Sequence, residues 1–322
     1  MSEPTEPGTE PQGKPQEDTA TSIVSATAPP SAVPRETSQP AQDRKTVKRE
    51  QRRELFTNPT FLIGFFIVAF WIISAIAPGL LTSIGPTEFV QDAGPRTGPS
   101  ADAWFGTNTI GQDVYTRVIY GSRNVLVTAP IAAALSAVFG SFLGLVMGYY
   151  KGWVDEVLGR LVEAVLSLPV ILLAIMVLVV FGSSSTVVIF TIAGLFTPIV
   201  TRTIRAAAIA EADLDYVVSA KLRGESGLFI MLREMLPNIT NVIIVEFTVR
   251  VGYAIFTVAT LAFLGLSGGD SAAADWGLDI ANTYSLIQSG QWWISIFPAL
   301  AIASLVIGVN LVADSIDKVY KA

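Results

Sequence analysis

The sequence contains no cysteine and no histidine. Without cysteine there is no disulfide, no thiolate nucleophile and no Cys-ligated zinc or iron–sulfur site; without histidine the commonest metal ligand and general base is missing too. Charge is scarce as well. Only 15% of the 322 residues are Asp, Glu, Lys or Arg, against 51% hydrophobic, whereas soluble domains are about one quarter charged. The shortage is uneven: residues 1–55 hold 8 Lys/Arg and 9 Asp/Glu, leaving 13 and 18 for the other 267. That is a density of about 12%, as in a membrane protein. The net charge of −6 and pI near 4.8 lack the basic footprint of nucleic-acid binding. No Gly-x-x-x-x-Gly-Lys-Ser/Thr phosphate loop occurs, so the chain is expected to hydrolyse no nucleotide itself. Neither a catalytic residue nor a metal site is expected.

What is present points to a bilayer. Residues 1–42 hold 8 of the 18 prolines among many Ser, Thr, Gln and Glu, the composition of a disordered tail. It has no apolar stretch of the kind a secretory signal needs. Arg44, Lys45, Lys48, Arg49, Arg52 and Arg53 then directly precede a long apolar run, which by the positive-inside rule places the N-terminus in the cytoplasm. Three regions are expected: an acidic, Pro-rich tail ending in a basic segment (1–55), a first transmembrane helix with an external loop (56–123), and a five-helix core (124–322) interrupted by a cytoplasmic loop at 202–238.

Residues 61–81 carry no formal charge and would span about 31 Å as a helix, the thickness of a hydrocarbon core. Further spans are expected at 125–149, 162–181, 187–201, 239–266 and 293–313, the fourth extending towards 209. The fold class is therefore an all-α membrane protein with six transmembrane helices and both termini cytoplasmic. The basic residues agree: cytoplasmic segments would hold 17 and outer loops three, Arg96, Arg117 and Arg123, with Arg250 inside a span. Pro130, Pro169, Pro198 and Pro298 fall in or beside the spans and read as kinks. Gly140, Gly144 and Gly148 recur every four residues, the spacing for close helix approach, within the chain or against a partner.

Residues 202–238 are the most informative stretch outside the spans. An alanine-rich helix is expected over 204–222, stopped by Gly224. Leu228, Met231, Leu232 and Met235 then follow i, i+3, i+4, i+7 spacing, so a second short helix with an apolar stripe is expected, ended by Pro237. Such a helix either plugs a groove on a partner or lies on the bilayer surface. On the fifth span Glu246 and Arg250 are spaced i, i+4 and can pair; a charge at that depth must be paired or hydrated. The pair is either a structural device between helices or part of a solute pathway. Asp270, Asp275 and Asp279 are too widely spaced for a metal site and are expected in a solvated loop or a docking surface.

The string from Asp215 through Tyr216, Ala220, Gly224, Ser226, Leu228 and Phe229 to Leu236-Pro237-Asn238 resembles the cytoplasmic coupling loop of ABC-importer permeases. That family has Glu-Ala-Ala where this chain has Val218-Ser219-Ala220. A second segment, with Gly106, Thr107, Gly111, Asp113, Arg117, Gly121 and Arg123, resembles the external signature of oligopeptide and dipeptide permeases, with Asn108 and Gln112 standing where an acid and an arginine are usual. Phe263-Leu264-Gly265-Leu266, Trp276-Gly277, Phe297-Pro298 and Asn310 through Asp314 resemble the last spans of the C-type subunit of those systems. The likeness covers about residues 56–320.

The resemblance implies a type I ABC-importer permease of the bacterial plasma (inner) membrane. It would form half of a peptide pathway with a second, related permease subunit. Two cytoplasmic ATP-binding subunits, which hydrolyse ATP with Mg, would dock on the coupling loop, at Tyr216, Ala220, Gly224, Ser226, Leu228, Phe229, Met231, Leu232, Met235, Pro237 and Asn238. An extracytoplasmic binding protein would deliver peptide. A permease for nickel or another small solute is the alternative within the family; an ion-coupled secondary transporter using Glu246 is the alternative outside it.

Overall fold

The structure is a computed structural model and describes residues 55–90, 93–268 and 273–321. The Pro-rich tail, the basic cluster at 44–53 and Asp270 lie outside the described residues. Helix α1 (Pro59–Ile76) opens with Pro59 at its first position, where a missing N–H costs nothing, and Asn58 Oδ1 accepts the Thr60 amide at 2.9 Å. It stops at Ala77, before Pro78, and a 3₁₀ turn completes the run. Helix α2 (Val114–Tyr150) has 37 residues, about 55 Å, so its ends extend past a hydrocarbon core of about 30 Å. It starts eleven residues before the expected span because Asp113 caps it, accepting from the Thr116 amide at 2.9 Å and the Thr116 hydroxyl at 2.6 Å.

Helix α5 (Ser185–Ala212) packs along α2, and the glycine ladder is the seam. A Cβ at Gly140 would lie 2.6 Å from Val200, one at Gly144 2.8 Å from Ile204, and one at Gly148 2.5 Å from Ala208. Both series advance by four residues, so the two helices run parallel and the close approach is within the chain. Parallel neighbours cross in the same direction, and the chain between them must therefore return. That return is made by α3 (Gly152–Leu166) and α4 (Val170–Phe181), which are bent by 88° to one another.

The expected straight span over 162–181 is thereby corrected. Pro169 has no amide hydrogen and biases Leu168 away from the α region, so the helix breaks there. The 12 residues of α4 cover about 18 Å, too little to cross alone. Counting the bent pair as one crossing, up to six helical spans are present among the described residues.

The remaining elements are α6 (Asp215–Leu222), α7 (Leu236–Phe263), α8 (Trp276–Thr283) and α9 (Trp293–Lys321). The single helix expected over 204–222 is two helices: α5 ends at Ala212, and Asp213 accepts an ion pair from Lys151 Nζ at 2.7 Å, which pins the corner between α5 and α6. Helices α1 and α9 are antiparallel: Gly64 abuts Gly308 and Leu311, while Trp71 Nε1 donates to Ser304 Oγ at 2.9 Å. Hydroxyls within the spans bond back to carbonyls four residues earlier, as Thr191, Thr197 and Thr201 do on α5. Pro130, Pro198 and Pro298 lie inside helices.

Candidate functional site

The turn between α5 and α7 contains the expected coupling residues. Gly224 ends α6 in the left-handed region at φ +77°; its amide donates to the Lys221 carbonyl at 3.0 Å and that of Glu225 to Ala220 at 3.2 Å. This pair of bonds is the helix stop that glycine favours. Ser226 Oγ accepts the Phe229 amide at 3.3 Å and starts the next helical run. That run does not end at Pro237. It passes through a π-helical turn (Ile230–Met235) into α7, with Pro237 in the first turn of α7. In α-helical register the Pro237 ring would crowd the Arg233 carbonyl; the wider turn leaves room for it.

Continuity into the span reorients the expected apolar stripe. Met231 and Met235 are buried together with Ile230, packed on Val217 and Ala220 of α6 and on Ile204 and Ala208 of α5. Leu228, Phe229 and Leu232 remain exposed, and the most exposed apolar side chain of the turn is Leu222, at 83%. The exposed apolar surface is thus shared between the end of α6 and the start of the following run. Leu222 did not stand out in the sequence, because the alanine-rich helix shows no periodic stripe; Val218, which stands where the family has a glutamate, is exposed as well.

Tyr216 and Asn238 are brought together. The Tyr216 hydroxyl donates to Glu211 Oε1 and accepts from Asn238 Nδ2 at 2.9 Å; the same Nδ2 lies 3.1 Å from the Glu234 carbonyl. Burial, reinforced by the bond to Glu211, pushes the phenol up to about 12. Asn238 therefore ties the foot of α7 to α6, and the turn is braced against the spans rather than hanging free of them.

Glu246 and Arg250 form the expected pair on α7, with Arg250 Nε 3.1 Å from Glu246 Oε2 and side chains 14% and 12% exposed. The Arg250 guanidinium also lies over the Tyr253 ring, 5.1 Å from its centroid.

The signature segment expected outside forms a clamp. Gly106 has φ +76°, and a Cβ there would meet the Thr97 carbonyl at 2.6 Å and the Trp293 indole at 2.7 Å. Thr107, fully buried, accepts the Thr97 amide on its hydroxyl at 2.8 Å and donates to the Gly94 carbonyl at 2.7 Å. Gly111 has φ +96°. The unusual Asn108 and Gln112 pair with each other: Asn108 Nδ2 donates to Gln112 Oε1, and the Gln112 amide to Asn108 Oδ1, each at 2.9 Å. Arg117 then grips Asp279 bidentately, Nη2 to Oδ1 at 2.6 Å and Nε to Oδ2 at 3.1 Å, while its Nη1 reaches Gln112 Oε1 at 3.2 Å. Gly121 abuts Trp276, whose Nε1 donates to the Val118 carbonyl at 2.8 Å. Arg123 is exposed.

This corrects the expected solvated acidic loop. Asp275 is buried; it caps α8 through the Gly277 and Leu278 amides at 3.0 and 3.1 Å and accepts from Asn124 Nδ2 at 2.7 Å. Asp279 is held by Arg117, whose charge opposes the upward push of burial on its carboxyl. Both aspartates fasten the segment between α7 and α9 onto the N-terminal part of α2.

These features define a multi-span, all-α membrane protein with a braced apolar turn between two spans at one end and a buried polar clamp at the other. The family of binding-protein-dependent transport system inner membrane components matches residues 140–321, and the chain belongs to that family. Its fold is that of ABC type I importer permeases. The dipeptide transport system permease protein DppC of Alkalihalophilus pseudofirmus is 34% identical over 292 residues, covering 90% of this chain and 95% of that one. DppC of Haemophilus influenzae is 35% identical, covering 80% and 89%. The glutathione transport system permease protein GsiD of Pectobacterium atrosepticum is 32% identical, covering 82% and 87%.

Proposed function

We propose that this chain is one of two permease subunits in an ATP-driven, binding-protein-dependent importer of peptides, and that it forms half of the translocation pathway. The observation that carries this reading is the turn between α5 and α7: Leu222, Leu228, Phe229 and Leu232 are exposed beyond the spans, while Met231, Met235 and Ala220 beneath them are buried. Exposed apolar side chains on a rigid support suit a cleft in another protein. The occupants of that role are two cytoplasmic ATP-binding subunits, which hydrolyse ATP with Mg; this chain binds no cofactor. With the turn in the cytoplasm both termini are cytoplasmic, the chain sits in the bacterial plasma (inner) membrane, and the Arg117 clamp faces the side from which a peptide-binding protein delivers its load. Peptide is favoured as solute because the relatives are named for dipeptide, peptide and glutathione transport.

Closure of the ATP-binding subunits would push the braced turn, and Tyr216–Asn238 and the Met231/Met235 packing would pass that displacement into α7 and α5 as rigid bodies. Uptake of a labelled peptide into proteoliposomes holding the complete complex tests the reading. Uptake should require ATP and the binding protein together; uptake by this chain alone under an ion gradient would overturn it.

A further inference from the structure

The Arg250 guanidinium uses only part of its donor set. Its Nε bonds to Glu246, its face lies over Tyr253, and the terminal amino groups Nη1 and Nη2 have no acceptor among the described residues. Arg250 lies about midway along α7 (Leu236–Phe263). Unsatisfied guanidinium N–H groups cannot face acyl chains at that depth. Yet Tyr253 and Phe256, on the turns that follow, are exposed, so this face of α7 is open in the isolated chain. This face of α7 therefore presents a charged fork and a phenol at membrane depth, where a wholly lipid-facing surface would be apolar.

We infer that Arg250 is the residue of this permease that reads a carboxylate on the passing solute; on the peptide-importer reading, on which this rests, that group is the peptide's C-terminal carboxylate. A guanidinium fork matches the two oxygens of a carboxylate, and such charge-assisted pairs are stronger than neutral ones. Tyr253 holds the guanidinium plane from one side. Glu246 keeps the empty site electrically neutral and limits the hold on an anion, as transit requires: a site on a pathway must release what it binds.

The test uses proteoliposomes of the complete complex, with trialanine and trialanine amide as probes, each supplied on saturating binding protein. Two variants are compared, Glu246→Gln and Glu246→Gln with Arg250→Gln, so that neither leaves a stranded carboxylate at position 246. The first should carry the acid on the order of tenfold faster than the amide. In the double variant the acid-to-amide ratio should fall towards one through loss of acid transport. Arg250→Lys keeps the charge without the fork, and should lower the wild-type ratio severalfold. Equal ratios in the Glu246→Gln and double variants, or no change with Arg250→Lys, would overturn the proposal, since any preference would then belong to the binding protein. Failure of the wild-type complex to carry either probe would overturn the peptide reading itself and this proposal with it.

Discussion

The indole of Trp276 occupies the space that any side chain at Gly121 would need, with its Cδ1 2.6 Å from the Cβ position and its Nε1 donating to the Val118 carbonyl at 2.8 Å. Trp276 also stacks edge-on against Trp71 of α1 at 4.8 Å between ring centres. One fully buried side chain thus joins α1, α2 and α8. Replacing Gly121 by Val should destabilise the chain by about 1–3 kcal/mol through overpacking, seen as a lower midpoint of thermal unfolding in detergent. An unchanged midpoint would contradict this packing.

The Arg117–Asp279 pair is buried and bidentate, so removing one partner strands the other. Arg117→Met or Asp279→Leu alone should each cost about 3–5 kcal/mol, and the double variant less than the sum of the singles. Unfolding midpoints of the four chains measure the coupling; simple additivity would show that the two residues do not act as a pair.

Helix α3 has no buried residue. Its tie to α5 is Asp155, which accepts from Arg205 Nε and from Arg205 Nη2, the latter at 2.5 Å. Asp155→Asn should therefore raise amide hydrogen exchange across 152–166 severalfold while leaving the glycine seam between α2 and α5 protected. Equal protection of α3 in both chains would show that packing, not this ion pair, holds it.

Tyr216 is outside the spans, and its phenol is raised from 10.0 to about 12. A group whose folded value is raised gives its stabilisation in full below pH 10, and that stabilisation disappears as pH rises towards 12. The stability of the wild-type chain should fall over this window, and Tyr216→Phe should flatten the fall. The same slope in both chains would show that Tyr216 does not set it.

Part of this architecture was legible before the structure. The four-residue glycine spacing marked a face of close helix approach, and the Glu246/Arg250 spacing marked their pair, because both patterns are local to one helix; that the glycines meet α5 and not another chain was not legible. The orientation of Met231 and Met235 was not legible: it depends on whether the helix survives Pro237, and a π-helical turn decides that. Asp275 and Asp279 read as solvated because their partners, Asn124 and Arg117, lie 151 and 162 residues away. The break at Pro169 was visible as a proline, but its 88° bend was not, since the parallel run of α2 and α5 is a tertiary fact.

Docking of ATP-binding subunits on this turn is tested most directly by ATP hydrolysis by the complete complex in lipid, with and without peptide-loaded binding protein, comparing wild type with Leu222→Asp and Leu228→Asp. Both side chains are exposed, at 83% and 54%, so the fold should tolerate the charge. The loaded binding protein should stimulate hydrolysis in the wild type, and both variants should lose most of that stimulation. Full stimulation in both would contradict the assignment of this turn as the surface on which the ATP-binding subunits dock.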